Sequence, residues 1–579
     1  MNTAAEAAIA PMASTQSYGD NINVNLLRAL PKDAGVVVEV GCYRGALGEA
    51  YKRFNPHCFY AGIEINATAA AIAQNRLDQV FVGNAEDLEF SPAIAPGSVD
   101  CLVYGDVLEH LLNPWELLAR HRQWLKPDGV VVACIPNIQH WTAIRDLLLG
   151  KWEYQDQGLL DRTHLRFFTR DSIEDLFKRV GLELYGLFSV DNRRDELFEE
   201  FKALLEPVLN RLQVPLSTFD QQSAALQYVV QARLPQPQPL RRLYVQTLVM
   251  ETKACKRVRV SEPHYFLEGI PGVRTFSSDR DAKLGLERAG EQTVFLWQRP
   301  ILLYPKDVAT VRKVLQRGYL VVVEVDDDPL RWKDRGDILF SYRAVHAVQT
   351  STEKLASFLR QINPHVAVFP NQIAELPAPR IYDPTAPVRL FFGALNRKED
   401  WTPLMPALNR VLQRWGDRVY VEVIHDKEFF EALATPHKTF QPFVPYQAYE
   451  NTLLRSDIAI LPLSPTRFNS LKSDLKFLEC AACGATVLAS PVVYGDVIQD
   501  GVTGMLFRTP EEFEGRLNGL IEHPQQRQNL ARHARDWVKR HRMQSLHVRD
   551  RYHWYCQLYD RLPELNDSLR RRVPEVFQP

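Results

Sequence analysis

The sequence predicts an α/β protein with several parallel sheets, and two observations favour this class. Runs of apolar, β-branched residues such as Val36–Val40 and Tyr319–Val325 recur along the chain and end at loops that hold glycine or acidic residues. Such runs are typical of parallel strands covered on both faces. Stretches with helical spacing separate the runs, so strands and helices alternate as in βαβ units.

Length and composition set the scale of the protein. It has 579 residues, so several domains are expected. The 69 basic and 70 acidic residues give a net charge of −1, and no nucleic-acid partner is predicted. Eight cysteines in so long a chain favour a reducing compartment over a disulfide framework. Residues 1–20, rich in Ala, Ser and Thr, are predicted to be a disordered lead-in rather than a signal peptide.

The first strand runs into a loop that suits a nucleotide-type ligand. Val36–Val40 is followed by Gly41 and Gly45, which lack a Cβ and let the backbone turn sharply and approach a ligand closely. A helix is predicted directly after Gly45. Glu39 lies inside the buried strand, where a carboxylate needs a partner, and a cationic ligand would provide one.

Three further apolar runs lead to polar residues at the same predicted edge of the sheet. Phe59–Glu64 ends in an acid at the spacing that suits a ribose diol. The next two runs lead to N-A-E-D from Asn84 and D-V-L-E-H from Asp106, and K-P-D-G follows from Lys126. Together with E-x-G-C-x-x-G from Glu39, these motifs resemble class I S-adenosylmethionine-dependent methyltransferases of the ubiquinone-type and sugar-O-methyltransferase kind.

The resemblance implies a methyltransferase domain over residues 21–233 that binds S-adenosylmethionine. Three loop histidines are candidates for acceptor contact or a general base, namely His110, His140 and His164, with packing inside the fold as the alternative for each. The implied cofactor contacts are Glu39, Gly41, Cys42, Gly45, Glu64, Asn84, Ala85, Glu86, Asp106 and Val107.

A proline-rich linker over residues 234–240 is predicted to end this domain. Two further α/β patterns follow, over residues 241–375 and over residues 376–579, the latter closing with a helical tail. The first of them has a predicted helix from Val308 with Asp307 as its N-cap. Its strand 319–325 runs into Asp326, Asp327 and Asp328. We interpret Asp327 as a catalytic candidate on the loop at the end of this strand, with solvated turn acids and a metal site as alternatives, and predict no metal.

The segment 467–479 is the second candidate site. Ser473 is predicted to cap a helix that carries Lys476 and Glu479 in its first turns, with Lys472 and Lys476 on one face. A helix N-terminus gathers free N–H groups and positive potential, which suits a phosphate. The sequence therefore predicts a phosphate site here.

The pattern over residues 376–579, which contains this segment, resembles the carboxyl half of two-Rossmann (GT-B) nucleotide-sugar glycosyltransferases. The full fold prediction is an N-terminal class I methyltransferase Rossmann-like domain followed by two Rossmann-like domains of GT-B type. Retaining members often carry E-x7-E. Glu479 matches the second glutamate, but Leu471 takes the first position, so the stereochemistry stays open. The resemblance implies a nucleotide-diphosphate sugar as donor, held by Gly393, Arg397, Lys398, Lys472, Ser473, Lys476 and Glu479.

Together the two resemblances predict a cytoplasmic bifunctional enzyme of surface polysaccharide or glycolipid biosynthesis. Its predicted acceptor is a glycan or a lipid-linked glycan, and a peripheral contact with the inner face of the membrane stays open. One alternative is an active methyltransferase with a non-catalytic, glycan-binding GT-B module. The other is an active glycosyltransferase with a degenerate methyltransferase scaffold. The sugar, the methylated position and the oligomeric state also stay open.

Overall fold

The computed structural model describes residues 21–87, 94–192, 194–250, 254–331, 333–383 and 385–578. The predicted lead-in, residues 1–20, lies outside this part of the chain. The chain divides into two compact units. The first runs up to residue 241 and includes 268–273, and the second holds 242–267 and 274–579.

The first unit is built on one sheet of strands β1 Val36–Val40, β2 Phe59–Glu64, β3 Gln79–Val82, β4 Val99–Gly105, β5 Leu125–Pro136, β6 Glu183–Val190 and β7 Gln227–Arg233. The strand order is β3-β2-β1-β4-β5-β7-β6. The pairs among β1 to β5 are parallel, and β7 runs antiparallel to β5 and β6. The predicted Rossmann-like sheet is confirmed, and it brings the ends of β1, β2 and β4 to one edge.

Helices flank this sheet, and most begin at a residue suited to capping. Asn23 and Asn113 accept backbone N–H groups at two N-termini, and Asp195 does so for the helix Glu196–Arg211. The helices Ala67–Ala73, Trp141–Leu148 and Leu216–Ser223 were not predicted. The α-helices of this unit are Val24–Ala29, Ala46–Phe54, Ala67–Ala73, Pro114–His121, Trp141–Leu148, Arg170–Arg179, Glu196–Arg211 and Leu216–Ser223.

The second unit holds two sheets, as the sequence predicts. The first has strands β8 Leu243–Val249, β9 Val273–Ser278, β10 Gln292–Gln298, β11 Leu320–Val325, β12 Ala347–Thr350 and β13 Val366–Val368, in the order β13-β12-β11-β10-β8-β9. The second has β14 Val388–Gly393, β15 Val419–Ile424, β16 Lys438–Gln441, β17 Ile458–Leu461, β18 Thr486–Ala489 and β19 Met505–Leu506, in the order β16-β15-β14-β17-β18-β19. β9, β16 and β19 were not predicted.

The helices of this unit follow the alternation expected of βαβ units, with a π-helical segment at Arg257–Ser261. Over the described residues, no helix combines the length and the apolar character needed to cross a membrane. The α-helices are Ala254–Lys256, Glu262–Leu267, Val308–Leu315, Phe340–Arg343, Glu353–Leu359, Lys398–Trp401, Met405–Trp415, Lys427–Ala432, Tyr446–Arg455, Arg467–Ser470, Leu475–Ala482, Pro510–Glu522, Pro524–His541, Val548–Asp560 and Leu562–Arg572.

Two predicted helix caps are not formed. Asp307 occupies an N-cap position, but its carboxylate accepts the backbone N–H of Leu303 at 2.8 Å instead of capping the helix. The helix predicted to begin after Ser473 has Asp474 at its N-cap. Arg542 binds the Asp474 carboxylate at 2.6 Å, so that side chain does not cap the helix either.

The helical tail returns to the first sheet of the second unit. Leu569, Val573 and Val576 join the buried core that surrounds β11. Arg572 donates to the carbonyls of Arg343 and Val345, each at 2.7 Å. The sequence placed the tail with the last domain. In the structure it also covers the sheet of residues 243–368, because its apolar face packs against residues that are distant in sequence.

Candidate functional site

The loop after β1 has the backbone that its glycines predict. Gly41 and Gly45 have φ values of 74° and 76°, a region that residues with a side chain rarely adopt. A Cβ on Gly41 would lie 2.3 Å from Cγ2 of Val107. The loop after β1 and the loop after β4 therefore touch at this point, with no room for a side chain between them.

Glu39 is buried in β1, only 5% exposed. The Tyr60 hydroxyl donates to one of its carboxylate oxygens at 3.0 Å. Burial raises the pKa of Glu39 to about 8, against the effect of this hydrogen bond. The partner seen in the protein is thus a phenol, and a nearby cation would be strongly favoured because it would stabilise the charged carboxylate.

Glu64, at the end of β2, holds the glycine loop in place. Its two carboxylate oxygens accept the backbone N–H groups of Tyr43 at 2.7 Å and of Asn66 at 2.8 Å. Each oxygen keeps a further lone pair for a ligand hydroxyl. The proposed ribose contact and this structural role are therefore compatible.

The loop after β3 is tied to the loop that follows the D-V-L-E-H segment. The Glu86 carboxylate accepts the backbone N–H groups of Leu112 at 3.1 Å and Asn113 at 2.7 Å. The Ala85 carbonyl accepts from Arg120 at 2.9 Å. These contacts hold the loop in place from its outer side. Asn84 accepts the Glu86 N–H, and Cys42 is buried against Gly62.

A cavity of about 230 Å³ opens beside these loops and brings together two of the three predicted histidines. The rings of His110 and His164 lie 4.8 Å apart, edge to face. Glu109 lines the same cavity, and burial raises its pKa to about 8. Asp106 is held by Gln227, which donates to it at 2.7 Å. The other lining residues include Pro136, Gln157, Gly158, Leu159, Asp161 and Leu226.

His140 lies apart from this cavity wall. It occupies the N-cap position of Trp141–Leu148, and its Nδ1 lies 2.8 Å from the Thr142 hydroxyl. Burial lowers its pKa. The sequence singled out His110 and His164 and missed the role of Glu109, although the acid stands next to His110 in the D-V-L-E-H segment.

The second site lies where loops from the two sheets of the second unit meet. Asp327, after β11, accepts from Arg331 at 2.7 Å, and Lys472 lies 3.9 Å from its other oxygen. Although burial opposes it, Lys472 and Arg299 hold the pKa of Asp327 below its usual value. Arg467 pairs with Asp328 at 2.6 Å. Asp327 therefore lies among cations rather than exposed in a solvated turn.

The prediction that Lys472 and Lys476 share one helical face is wrong. Lys472 precedes the helix Leu475–Ala482, and its ammonium group lies 4.1 Å from the centre of the Phe468 ring. Lys476, in the first turn, lies 5.3 Å from the centre of the Tyr449 ring. The difference arises because the turn before Asp474 separates the two lysines.

Glu479 is buried one turn further along this helix. The Tyr449 hydroxyl donates to its carboxylate at 3.0 Å, and burial raises its pKa. Ser473, predicted as the cap, accepts from Asn371 at 2.7 Å, across the two halves of this unit. Tyr449 was not predicted, since no local signal marks it before the fold sets it against Glu479.

The basic residues after β14 differ in their surroundings. Arg397 donates to Asn469 at 2.7 Å and to Asp400 at 3.1 Å, close to the Lys472 loop. Lys398 points away and pairs with Glu428, both largely exposed. Gly393 is required by packing, since a Cβ there would lie 2.3 Å from the Phe391 ring.

Both parts of the chain match known protein families. Residues 15–186 match the family model of a methyltransferase domain, and residues 390–548 match that of a glycosyl transferase-like family. A ubiquinone biosynthesis O-methyltransferase of Cereibacter sphaeroides is 24% identical over 175 residues, 29% of this chain and 68% of the relative. One from Cupriavidus pinatubonensis is 28% identical over 153 residues, 26% of this chain and 60% of the relative.

Solved structures resemble parts of the chain at low scores. Anabaena Alr3699/HepE in complex with UDP and glucose has a TM-score of 0.39 and 12% identity, covering 54% of this chain and 98% of that one. A putative methyltransferase from Bacillus halodurans has a TM-score of 0.25 and 14% identity, covering 37% and 98%. These scores say nothing about activity. The family matches identify a transferase with a methyltransferase domain and a glycosyl transferase-like domain, which imply S-adenosylmethionine and a nucleotide-sugar donor.

Proposed function

We propose that the protein is a bifunctional enzyme of surface polysaccharide or glycolipid biosynthesis. Its first unit transfers a methyl group from S-adenosylmethionine to a sugar hydroxyl, and its second transfers a sugar from a nucleotide-diphosphate donor. The observation that carries the proposal is that each family match contains a polar site at the carboxyl ends of its strands. The acceptor is a glycan or lipid-linked glycan, and we place the enzyme in the cytoplasm, with a peripheral membrane contact for a lipid-linked acceptor.

The first unit has the parts that methyl transfer needs. Methyl transfer forms an O–CH₃ bond as the S–CH₃ bond breaks, and the hydroxyl loses its proton. Val107 touches the glycine loop while Asp106 and Glu109 line the cavity, so an acceptor in the cavity lies beside the cofactor loop. Such positioning supplies much of the rate of an in-line displacement. The cavity also holds the titratable groups that accept the proton.

The second unit has the parts that glycosyl transfer needs. The leaving diphosphate is stabilised by cations and by helix N–H groups. Lys476 lies in the first turn of Leu475–Ala482, and Arg397 and Lys472 lie on the loops around it. Glu479 is placed deeper, where its carboxylate suits ribose hydroxyls rather than phosphate.

A second candidate function follows from Leu471. It stands where the first glutamate of E-x7-E would be, and it is buried in an apolar cluster with residues of the β11 sheet. No carboxylate is offered at that position. This observation favours a module that binds a nucleotide sugar or glycan without transferring it, and turnover measurements separate the two functions.

The experiment that tests the assignment is ligand-induced thermal stabilisation of the full-length protein. S-adenosylmethionine and a panel of nucleotide sugars are added separately, because a ligand that binds only the native state raises the melting temperature. We expect Glu64→Ala to remove the rise in melting temperature with S-adenosylmethionine and to leave the rise with nucleotide sugar unchanged. Glu479→Gln should weaken the rise with nucleotide sugar and leave the rise with S-adenosylmethionine unchanged. A response that neither substitution changes would place the ligands elsewhere.

Glu39 gives a prediction that depends on pH. Its pKa of about 8 keeps the free carboxyl about nine-tenths protonated at pH 7. A sulfonium cation nearby lowers that pKa, so cofactor binding at pH 7 should release close to one proton. Calorimetry in buffers of different ionisation enthalpy measures this number. Glu39→Gln should bind the cofactor without that release, and an equal release from both proteins would assign the proton to another group.

A further inference from the structure

Three potential metal ligands converge in the wall of the methyltransferase cavity. Glu109, His110 and His164 each offer one ligand atom, and these atoms lie within 4.8 Å of one another. The Glu109 carboxylate and Nε2 of His164 are 4.0 Å apart, too far for a hydrogen bond. A bound cation would sit between them after a small inward movement of the side chains.

Both histidines are oriented so that Nε2 is the available ligand atom. Nδ1 of His164 lies 3.2 Å from the Leu159 carbonyl, and Nδ1 of His110 lies 3.2 Å from the Thr163 carbonyl. The Thr163 hydroxyl lies 3.1 Å from the same Nδ1 of His110, but it donates its proton to Asp161 at 2.6 Å and so can only accept from the histidine. A carbonyl only accepts, so each Nδ1 carries the proton and each Nε2 keeps a lone pair. Metal-binding histidines are commonly fixed in this way by a backbone carbonyl on the other nitrogen.

Glu109 provides independent support for a ligand. It is fully buried, and neither of its carboxylate oxygens has a hydrogen-bond partner among the described residues. A buried carboxyl group whose oxygens both lack a hydrogen-bond partner is unfavourable, and a bound metal ion would satisfy it. It lines the same cavity as the histidines, so its oxygens lie beside the two imidazoles rather than in a separate part of the core.

We propose that Glu109, His110 and His164 bind a divalent first-row transition cation. Two imidazole nitrogens and one carboxylate suit zinc, iron or cobalt better than magnesium or calcium, which prefer oxygen ligands. Three protein ligands also leave coordination positions open, as in catalytic rather than structural sites. His110 and His164 are then ligands, and they act on the acceptor through the cation.

The open positions define the class of acceptor. They face the cavity that Asp106, Asp161 and Gln227 also line, and a cation there can hold two adjacent oxygen atoms of one molecule. The acceptor is therefore a molecule with a vicinal pair of hydroxyls, one of which receives the methyl group. This step rests on the proposed methyl transfer, whereas cation binding itself does not.

The test is a Co²⁺ titration of the full-length, tag-free protein after removal of metal with a chelator. We expect one tightly bound Co²⁺ per chain, with the visible absorption bands of a cobalt–imidazole site, and displacement by Zn²⁺. Glu109→Gln and His164→Gln, which nearly preserve side-chain volume, each remove a ligand and should weaken binding roughly 100-fold or more. His57→Ala removes an exposed histidine of the same unit and should leave the titration unchanged.

Three outcomes would overturn the proposal: no tight Co²⁺ site, a site without imidazole bands, or a site that keeps its affinity in both variants while they melt like the wild type. S-adenosylmethionine affinity is measured on the same samples by calorimetry. A protein that binds Co²⁺ at this cluster but not the cofactor refutes methyl transfer and leaves the cation site standing. A protein that binds the cofactor but not Co²⁺ refutes the cation site and leaves the proposed methyl transfer standing.

Discussion

Replacing Gly41 by valine should abolish S-adenosylmethionine binding, lowering affinity more than about 100-fold, or about 3 kcal/mol. Two effects combine. A Cβ at this position would lie 2.3 Å from Val107, and the φ of 74° disfavours any side chain. The loops after β1 and β4 would be forced apart. The obstacle lies in the protein itself, whereas the sequence alone suggested a clash with the ligand.

Two control variants separate the clash from the backbone strain. Gly97 has a φ of 70° with nothing within 4 Å of the position that a Cβ would take, so Gly97→Val carries the strain without the clash. It should bind the cofactor normally. Gly41→Ala combined with Val107→Ala removes the clash and should recover much of the affinity that Gly41→Ala alone loses. The affinity for S-adenosylmethionine is measured by calorimetry on variants whose far-ultraviolet circular dichroism spectrum is native. Normal binding by Gly41→Val would refute the site.

Sequence was sufficient for the buried parallel strands such as β1 and for the loop that follows it. A run such as Val36–Val40 can be satisfied only inside a sheet, and the positive φ of Gly41 and Gly45 is the conformation for which glycine is suited. These requirements are local, because they depend only on residues that are adjacent in the sequence. They are sufficient to predict the turn after β1 and the position of Glu64 at the end of β2.

Partners distant in sequence could not be predicted in the same way. The sequence predicted a cationic ligand as the partner of Glu39, but in the structure the hydroxyl of Tyr60, on β2, donates to its carboxylate. Glu109 stands in a recognised motif, yet only the loop that carries His164 shows that it belongs to a cluster. Ser473 has the residue type of a helix cap, but the turn at Asp474 moves the helix start beyond it. In each case a tertiary contact outweighs the local preference.

Replacing Lys476 by alanine should lower glycosyl transfer more than it lowers donor affinity. Lys476 lies in the first turn of Leu475–Ala482, where we propose that helix N–H groups and the ammonium group both bind a phosphate of the donor. The negative charge on the diphosphate grows as it leaves, so the interaction is strongest in the transition state. We expect a fall of about 100-fold in single-turnover rate, with donor affinity changed only a few-fold.

Glu479 should behave in the opposite way. Buried beside the Tyr449 hydroxyl, it offers hydrogen-bond acceptors and no positive charge. Glu479→Gln should therefore weaken binding of the donor and of the bare nucleoside diphosphate, by about 10-fold, with a smaller effect on the rate at saturation. Lys427→Ala serves as the control, since the Lys427 side chain is 72% exposed and pairs with Glu431 on the same helix.

Donor titrations and single-turnover rates on these three folded variants test the two roles together. Wild-type values for both Lys476→Ala and Glu479→Gln would refute the donor site. A raised Michaelis constant alone for Lys476→Ala would keep the site and reject its part in stabilising the leaving group. A loss of rate in Lys476→Ala with donor binding retained, set against a loss of binding in Glu479→Gln, is the result that the two environments predict.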